Sequence, residues 1–127
     1  MERTVCLDTH VVVWLFYGNI TLLTKKALDL INNSRTIVTP MVLFELDYLN
    51  EIDRISHSSE QILIELTQQI GLEISKNSFF DVIKAASHLD FTSDPFDRII
   101  IADAFIDKLP LISKDALINK HYVNTVW

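Results

Sequence analysis

Cysteine occurs once, at Cys6, in a chain of 127 residues. An internal disulfide is therefore impossible, and no zinc site can be assembled from thiolates. Glycine (2) and proline (3) are scarce, which excludes a chain dominated by flexible linkers or low-complexity segments. Long apolar runs are missing too, and nothing approaches the roughly 20 residues of a membrane-spanning helix. The apolar stretch Val11 to Phe16 follows Asp8 and His10, with no strongly basic leader and no small-residue cleavage site. The expectation is a cytoplasmic protein, neither exported nor inserted in a membrane. Basic residues are outnumbered, 11 Lys and Arg against 17 Asp and Glu, giving a net charge of -6. That balance argues against a broad electropositive surface for nucleic acid. It leaves room for a contact bridged by a metal ion, with local help from Arg3, Lys25, Lys26, Arg98 or Lys114.

What is present is apolar: 49% of the residues, enough for one compact domain over 1–127 with a sizeable core. Thr4 to Leu7 reads as a short buried strand, leading through Asp8-Thr9-His10 into the run Val11 to Phe16. Thr24 is placed to cap a helix over Lys25 to Asn32, and Thr36 to Val38 is a second strand. Thr39-Pro40 then starts a helix to about Arg54, because proline suits the first helical position. Ser58 or Ser59 caps the next helix, which runs to Ile70 and is stopped by Gly71, with Glu60 and Glu65 facing water. Leu72 to Ile74 is a third strand, Ser78 opens a helix reaching Leu89, and Pro95 opens another to about Lys108. Leu109 to Ile112 is a fourth strand, followed by a short helix at Ala116 to Asn119 and a last strand within Tyr122 to Trp127. Strands alternating with helices, without two-residue hairpin signals, predict an α/β fold with a mainly parallel sheet between helical layers.

In such a sheet the residues just past the strand ends share one edge of the molecule. Asp8 follows the first strand and Asp115 the fourth. Glu45 lies about two turns into the helix after the second strand, and Asp94 and Asp97 begin the helix at Ser93-Asp94-Pro95-Phe96-Asp97-Arg98. Carboxylates gathered on one edge repel one another and take up protons unless a cation neutralises them. A hard divalent ion such as Mg²⁺ or Mn²⁺ suits oxygen ligands, and it can activate a water and orient a phosphodiester. Thr9, Thr39 and Ser113 are expected to donate to the carboxylates.

Each acid also has an ordinary structural explanation. Asp94 caps the free amides of its helix, and Asp97 sits in the positively polarised first turn. Asp115 is placed to cap the short helix, and Glu45 to swing into solvent. Asp8 is the hardest to explain away, because an acid between Val5-Cys6-Leu7 and Val11-Val12-Val13 needs compensation for burial. His10 stands beside the proposed site, where a structural hydrogen bond is as good a role as substrate contact. His57, His88 and His121 have no metal-binding spacing. Trp14, Phe16, Phe44, Phe96 and Phe105 read as core, and Asp103 and Asp107 as a solvated helix face.

With these residues in view, the chain resembles the PIN-domain ribonucleases, in particular VapC-type toxins of bacterial toxin–antitoxin pairs. The matching pieces are Leu7-Asp8-Thr9-His10-Val11-Val12-Val13-Trp14-Leu15, Thr39 to Leu46, Asp94 to Ala102, and Leu111-Ile112-Ser113-Lys114-Asp115. They come in the family's order and span nearly the whole chain. The resemblance implies a three-layer α/β/α PIN-like fold. It also implies an Mg²⁺- or Mn²⁺-dependent endoribonuclease, the toxin of a type II pair, hydrolysing RNA with a metal-activated water. Asp8, Glu45 and Asp97 would be the principal catalytic and metal-binding acids and Asp115 a fourth. Thr9, Thr39, Asp94, Arg98 and Ser113 would be support residues. A homodimer and a small VapB-type antitoxin that blocks the site are implied as well. Two positions depart from the pattern: Ser93 stands where this subgroup often has Arg, and Asp103 where a neutral polar residue is usual.

Two other functions compete. A phosphohydrolase of the haloacid-dehalogenase kind also uses an Asp after the first strand, but it expects a second Asp two residues later, where this chain has His10. A non-catalytic PIN-fold binding module would hold a partner helix on its apolar surface, and the intact set of acids speaks against it.

Overall fold

The computed structural model describes residues 3–127. Five strands, β1 (Arg3–Leu7), β2 (Ser34–Val38), β3 (Glu73–Ile74), β4 (Leu111–Ile112) and β5 (Thr125–Val126), form one sheet in the order β3-β2-β1-β4-β5. Every pairing is parallel, with Cys6 opposite both Ile37 and Leu111. Strand β1 is central and covered on both faces, so Val5, Cys6 and Leu7 are all buried and the segment reads as a continuous apolar run.

Seven α-helices flank the sheet among the described residues: α1 (Thr9–Phe16), α2 (Lys25–Asn32), α3 (Pro40–Glu51), α4 (Ser59–Ile70), α5 (Phe79–Ala86), α6 (Pro95–Ile106) and α7 (Ala116–His121). With right-handed crossovers, this strand order puts α1–α4 over one face and α5–α7 over the other. The expected three-layer α/β/α arrangement is the one observed. No described helix is long and apolar enough to cross a membrane.

Local chemistry sets the boundaries. Ser58 and Gln61 form a reciprocal capping box at the start of α4, and Gly71, with φ of 69°, ends that helix in the left-handed conformation. Helix α3 stops at Glu51 rather than near Arg54. Asp53 turns left-handed at φ 60°, and the Arg54 N–H donates back to Leu49 O at 2.9 Å. Lys108, at φ 53°, ends α6 in the same way, and Leu109 N–H donates to Ala104 O at 2.9 Å. The main core joins the sheet to Val11, Val12, Val42, Leu46, Ile62, Leu66, Ile100 and Ile101, and full burial of each large side chain contributes about 1.5–3 kcal/mol. Val82 and Ala86 of α5 form a small separate cluster with Ala102 of α6.

Replacing Gly71 by alanine tests the left-handed stop. Nothing lies within 4 Å of the added methyl, so the loss is conformational and should be about 1 kcal/mol in urea unfolding.

Candidate active site

Since all strands point one way, their carboxyl ends meet on one edge, and helices start there. Asp8 ends β1 and caps α1: its Oδ1 accepts from Thr9 N–H at 2.8 Å. Its Oδ2 accepts from Ser113 Oγ at 2.7 Å, a buried bond between groups 105 residues apart in sequence. The Ser113 hydroxyl is oriented because its oxygen accepts from Asp115 N–H at 3.1 Å. Its one proton is then committed to Asp8. Thr9, also buried, donates its hydroxyl to Glu45 Oε1 and draws that side chain back from α3 over the edge.

Asp94 and Asp115 cap helices as their positions predict. Asp94 Oδ1 accepts from Phe96 N–H at 2.9 Å and from Asp97 N–H at 3.4 Å, and Asp115 Oδ1 accepts from Ile118 N–H at 2.9 Å. Asp97 lies in the first turn of α6, partly buried. Asn119, which sequence reasoning did not single out, clamps the turn carrying Ser113. Its amide donates to Ser113 O at 2.9 Å and to Asp115 O at 2.8 Å. The available signal was an Asn four residues after a capping Asp.

The acids feel one another. Burial pushes the Asp8 carboxyl up, against the pull of its bonds to Ser113 and Thr9 and of nearby His10, while Asp115 adds to the push. Burial likewise raises Glu45, opposed by the Thr9 bond and His10 and reinforced by Asp8 and Asp94. Asp97 is raised to about 7, first by burial and then by Asp94, Asp8, Asp115 and Glu45. Among the described residues the Lys and Arg ion pairs are Lys25–Asp29 and Arg35–Glu73, and neither involves an acid of this edge. His10 is exposed and lies against Trp14, ring centres 6.1 Å apart. Cys6 offers no nucleophile, because burial pushes its thiol up to about 12.

This donor set fits a hard cation. The oxygens are carboxylate, burial and then the neighbouring negative charges raise Asp97, and among the described residues no Lys or Arg pairs with it. Among the described residues, no three acid, His or Cys side chains stand close enough to enclose an ion as placed. A closed protein cage is thus not what the edge offers. Mg²⁺ commonly takes one or two carboxylates and keeps several waters, which this looser arrangement suits.

Four expectations are corrected. Among the described residues Thr39 donates to no carboxylate; its hydroxyl accepts from Met41 N–H at 3.3 Å and caps α3. Arg98 turns away from the acids and donates to Ala86 O at 3.0 Å, tying α6 to the end of α5. Phe44 and Phe105 are not core: they are 66% and 54% exposed. An apolar run in a helix circles the axis, and on α3 the buried stripe is Val42 and Leu46, leaving Phe44 outward. Phe96 is only partly buried and meets Tyr48 and Phe44 at 6.0 and 6.1 Å between ring centres, whereas Trp14 and Phe16 do pack on the core. Asp103 is not solvated. It is 3% exposed on the inner stripe of α6, where Ser75 and Asn77 supply its hydrogen bonds. Asp107 is exposed, as expected.

Fold and edge together define an α/β protein with an acidic site at the carboxyl ends of a parallel sheet. The PIN domain family model matches residues 5–123, and the chain belongs to that family. Among solved structures it is similar to VapBC2 from Rickettsia felis bound to a DNA fragment from their promoter. That match has 20% identity and a TM-score of 0.58, and it covers 98% of this chain and 96% of that one. It is also similar to a domain of a functionally unknown protein from Methanocaldococcus jannaschii DSM 2661, at 20% identity and a TM-score of 0.59, covering 99% and 91%. At that identity the two structures speak to the fold. No curated protein matches the chain.

The raised Asp97 carboxyl has a definite sign in folding. Between its unfolded value of 3.8 and its folded value of about 7, the folded state holds more protons, so Asp97 makes the metal-free protein less stable as pH rises through that window. Asp97→Asn should therefore stabilise the metal-free protein relative to wild type, and by more at pH 7.5 than at pH 5. With solvent screening the gain at pH 7.5 is on the order of 1 kcal/mol, read from urea unfolding with EDTA present. Millimolar Mg²⁺ should narrow the gap by stabilising the wild type more.

Proposed function

We propose that the chain is a divalent-metal-dependent endoribonuclease, the toxin of a type II toxin–antitoxin pair. On this reading it is a cytoplasmic homodimer held in check by a VapB-type antitoxin. PIN domains are typically nucleases that use divalent ions, and this chain belongs to that family. Its fold is shared with VapBC2 of Rickettsia felis. The observation that carries the reading is the gathering of Asp8, Glu45, Asp94, Asp97 and Asp115 on one sheet edge, near enough for the charges of the other four to act on Asp97.

When bound there, Mg²⁺ or Mn²⁺ would neutralise the acids and supply an activated water for attack on a phosphodiester. Asp8 is the fixed point, since Ser113 and Thr9 N–H hold both its oxygens. Glu45, held by Thr9, and Asp97, in the first turn of α6, would bind the ion beside it, with Asp115 as a fourth acid. Asp94 would keep the start of α6 in place and so position Asp97. His10, exposed beside Asp8, is available to the RNA.

Purified protein, free of antitoxin, should cleave members of a mixed panel of structured and single-stranded RNAs with Mg²⁺ or Mn²⁺ and not with EDTA. Asp8→Asn and Asp97→Asn should each lower the rate by roughly 10²–10⁴-fold with unchanged circular dichroism. Cleavage that survives EDTA, or that Asp8→Asn leaves intact, would overturn the proposal. No cleavage of any RNA, joined to calorimetry showing no Mg²⁺ or Mn²⁺ binding, would favour the non-catalytic binding module.

A further inference from the structure

Arg3, Lys25 and Lys26 line one cleft of about 790 Å³ between α2 and the strands β1 and β5. Lys25 donates to Asp29 at 2.9 Å, and among the described residues Asp29 is the one acid of the lining. The cleft therefore keeps a surplus of positive charge on a chain of net charge -6. Among the described residues Arg3 and Lys26 pair with no acid. Val126 lines the cleft on the β5 side. It pairs with Ile112, and Ile112 with Leu7, so the cleft runs beside β1 from the level of Leu7 back to Arg3, about 13 Å at the rise of a strand. Aromatic rings join this cleft to the acidic edge. His10 is exposed there, and its charge acts on both Asp8 and Glu45. Its ring centre is 6.1 Å from that of Trp14, one turn further along α1, and Trp14 is 5.9 Å from Trp127, the residue after Val126. Both indoles are partly exposed while resting on the core, which holds them in place, and they are the two tryptophans of the chain.

We propose that an unpaired RNA strand leaving the acidic edge follows this track, its bases against His10, Trp14 and Trp127 and its phosphates against Lys26, Arg3 and Lys25. Every base has a flat face that stacks on an aromatic ring, and the phosphates that follow it need cations spaced along their path. Rings and cations together select the occupant. An acidic polypeptide would satisfy Arg3 and Lys26, but its carboxylates gain nothing from the indoles. A duplex keeps its base faces inside its own stack and out of reach of the rings. A second copy packed through a twofold axis would set the same cations against themselves. The inference rests on the nuclease reading for where the strand begins, and it adds a class of substrate to that reading: RNA with an unpaired flank beside the cut. The acids of the edge are not part of the track, so the two are tested apart.

Binding is measured on the full chain in EDTA, which keeps the RNA whole. A short single-stranded RNA of mixed sequence should quench the tryptophan emission. By fluorescence anisotropy it should bind about tenfold more tightly than the blunt duplex of the same sequence. Arg3→Gln combined with Lys26→Gln, both at exposed positions, should weaken the single strand about tenfold. The pair should also lower the slope of log affinity against log salt by about 1.4, which is two phosphates at about 0.7 each. Trp127→Phe, which keeps a ring on the core, should lose part of the quenching and leave the slope unchanged. Tryptophans that no RNA quenches, equal binding of the duplex, or a double variant with wild-type affinity and slope would overturn the proposal, even where the wild type cleaves RNA with metal. Displacement of the RNA by an equal concentration of hexaglutamate would assign the cleft to an acidic polypeptide and overturn it too. Quenching that the double variant weakens, in a protein that cleaves no RNA with Mg²⁺ or Mn²⁺, would uphold the track and overturn the nuclease reading alone.

Discussion

The parallel direction of the sheet is the constraint on which the rest depends. Five strands that run the same way leave the sheet on one edge, and each helix that begins there begins with unpaired amides facing the same space. Carboxylates satisfy those amides, which is why Asp8, Asp94 and Asp115 are helix caps and members of the acidic edge at once. Capping and acid-site formation are one arrangement, because the groups that finish the helices are the groups left facing one another.

That arrangement is held by few contacts of long reach. The Ser113–Asp8 bond joins the ends of β1 and β4, and Thr9 carries the link on to Glu45 of α3. Both hydroxyls are buried, where a lost hydrogen bond costs more than at the surface. Asp97 stands outside this network, with no hydroxyl donating to its carboxylate among the described residues, and burial and its acidic neighbours raise it to about 7. The edge thus divides into acids held by hydrogen bonds within the protein and one that no described hydroxyl holds.

Asp103 shows the same physics resolved differently. It too is buried, but on the inner stripe of α6, and its donors come from the loop after β3 rather than from a helix start. One oxygen is used internally, and the residue lines an apolar cleft. The chain therefore presents two acidic positions of different character: an open edge of several carboxylates, and a single buried carboxylate beside an apolar cleft.

The sequence by itself determined the element types and the helix starts, because capping Ser, Thr and Asp, first-turn proline and Gly71 act within a few residues. It also determined that Asp8, Glu45, Asp97 and Asp115 belong to one edge, since strand and helix order dictates where strand ends go. Only the tertiary structure decided which side chains turn where. Helix ends at Glu51 and Ile106 rest on left-handed residues, Asp53 and Lys108, that carry no glycine signal. Phe44 faces out and Asp103 faces in because burial on a helix depends on what packs against each stripe, and a run of apolar letters does not reveal that. Thr39 and Arg98 found backbone partners in place of carboxylates for the same reason: a hydrogen bond goes to whichever group the packed chain brings within reach.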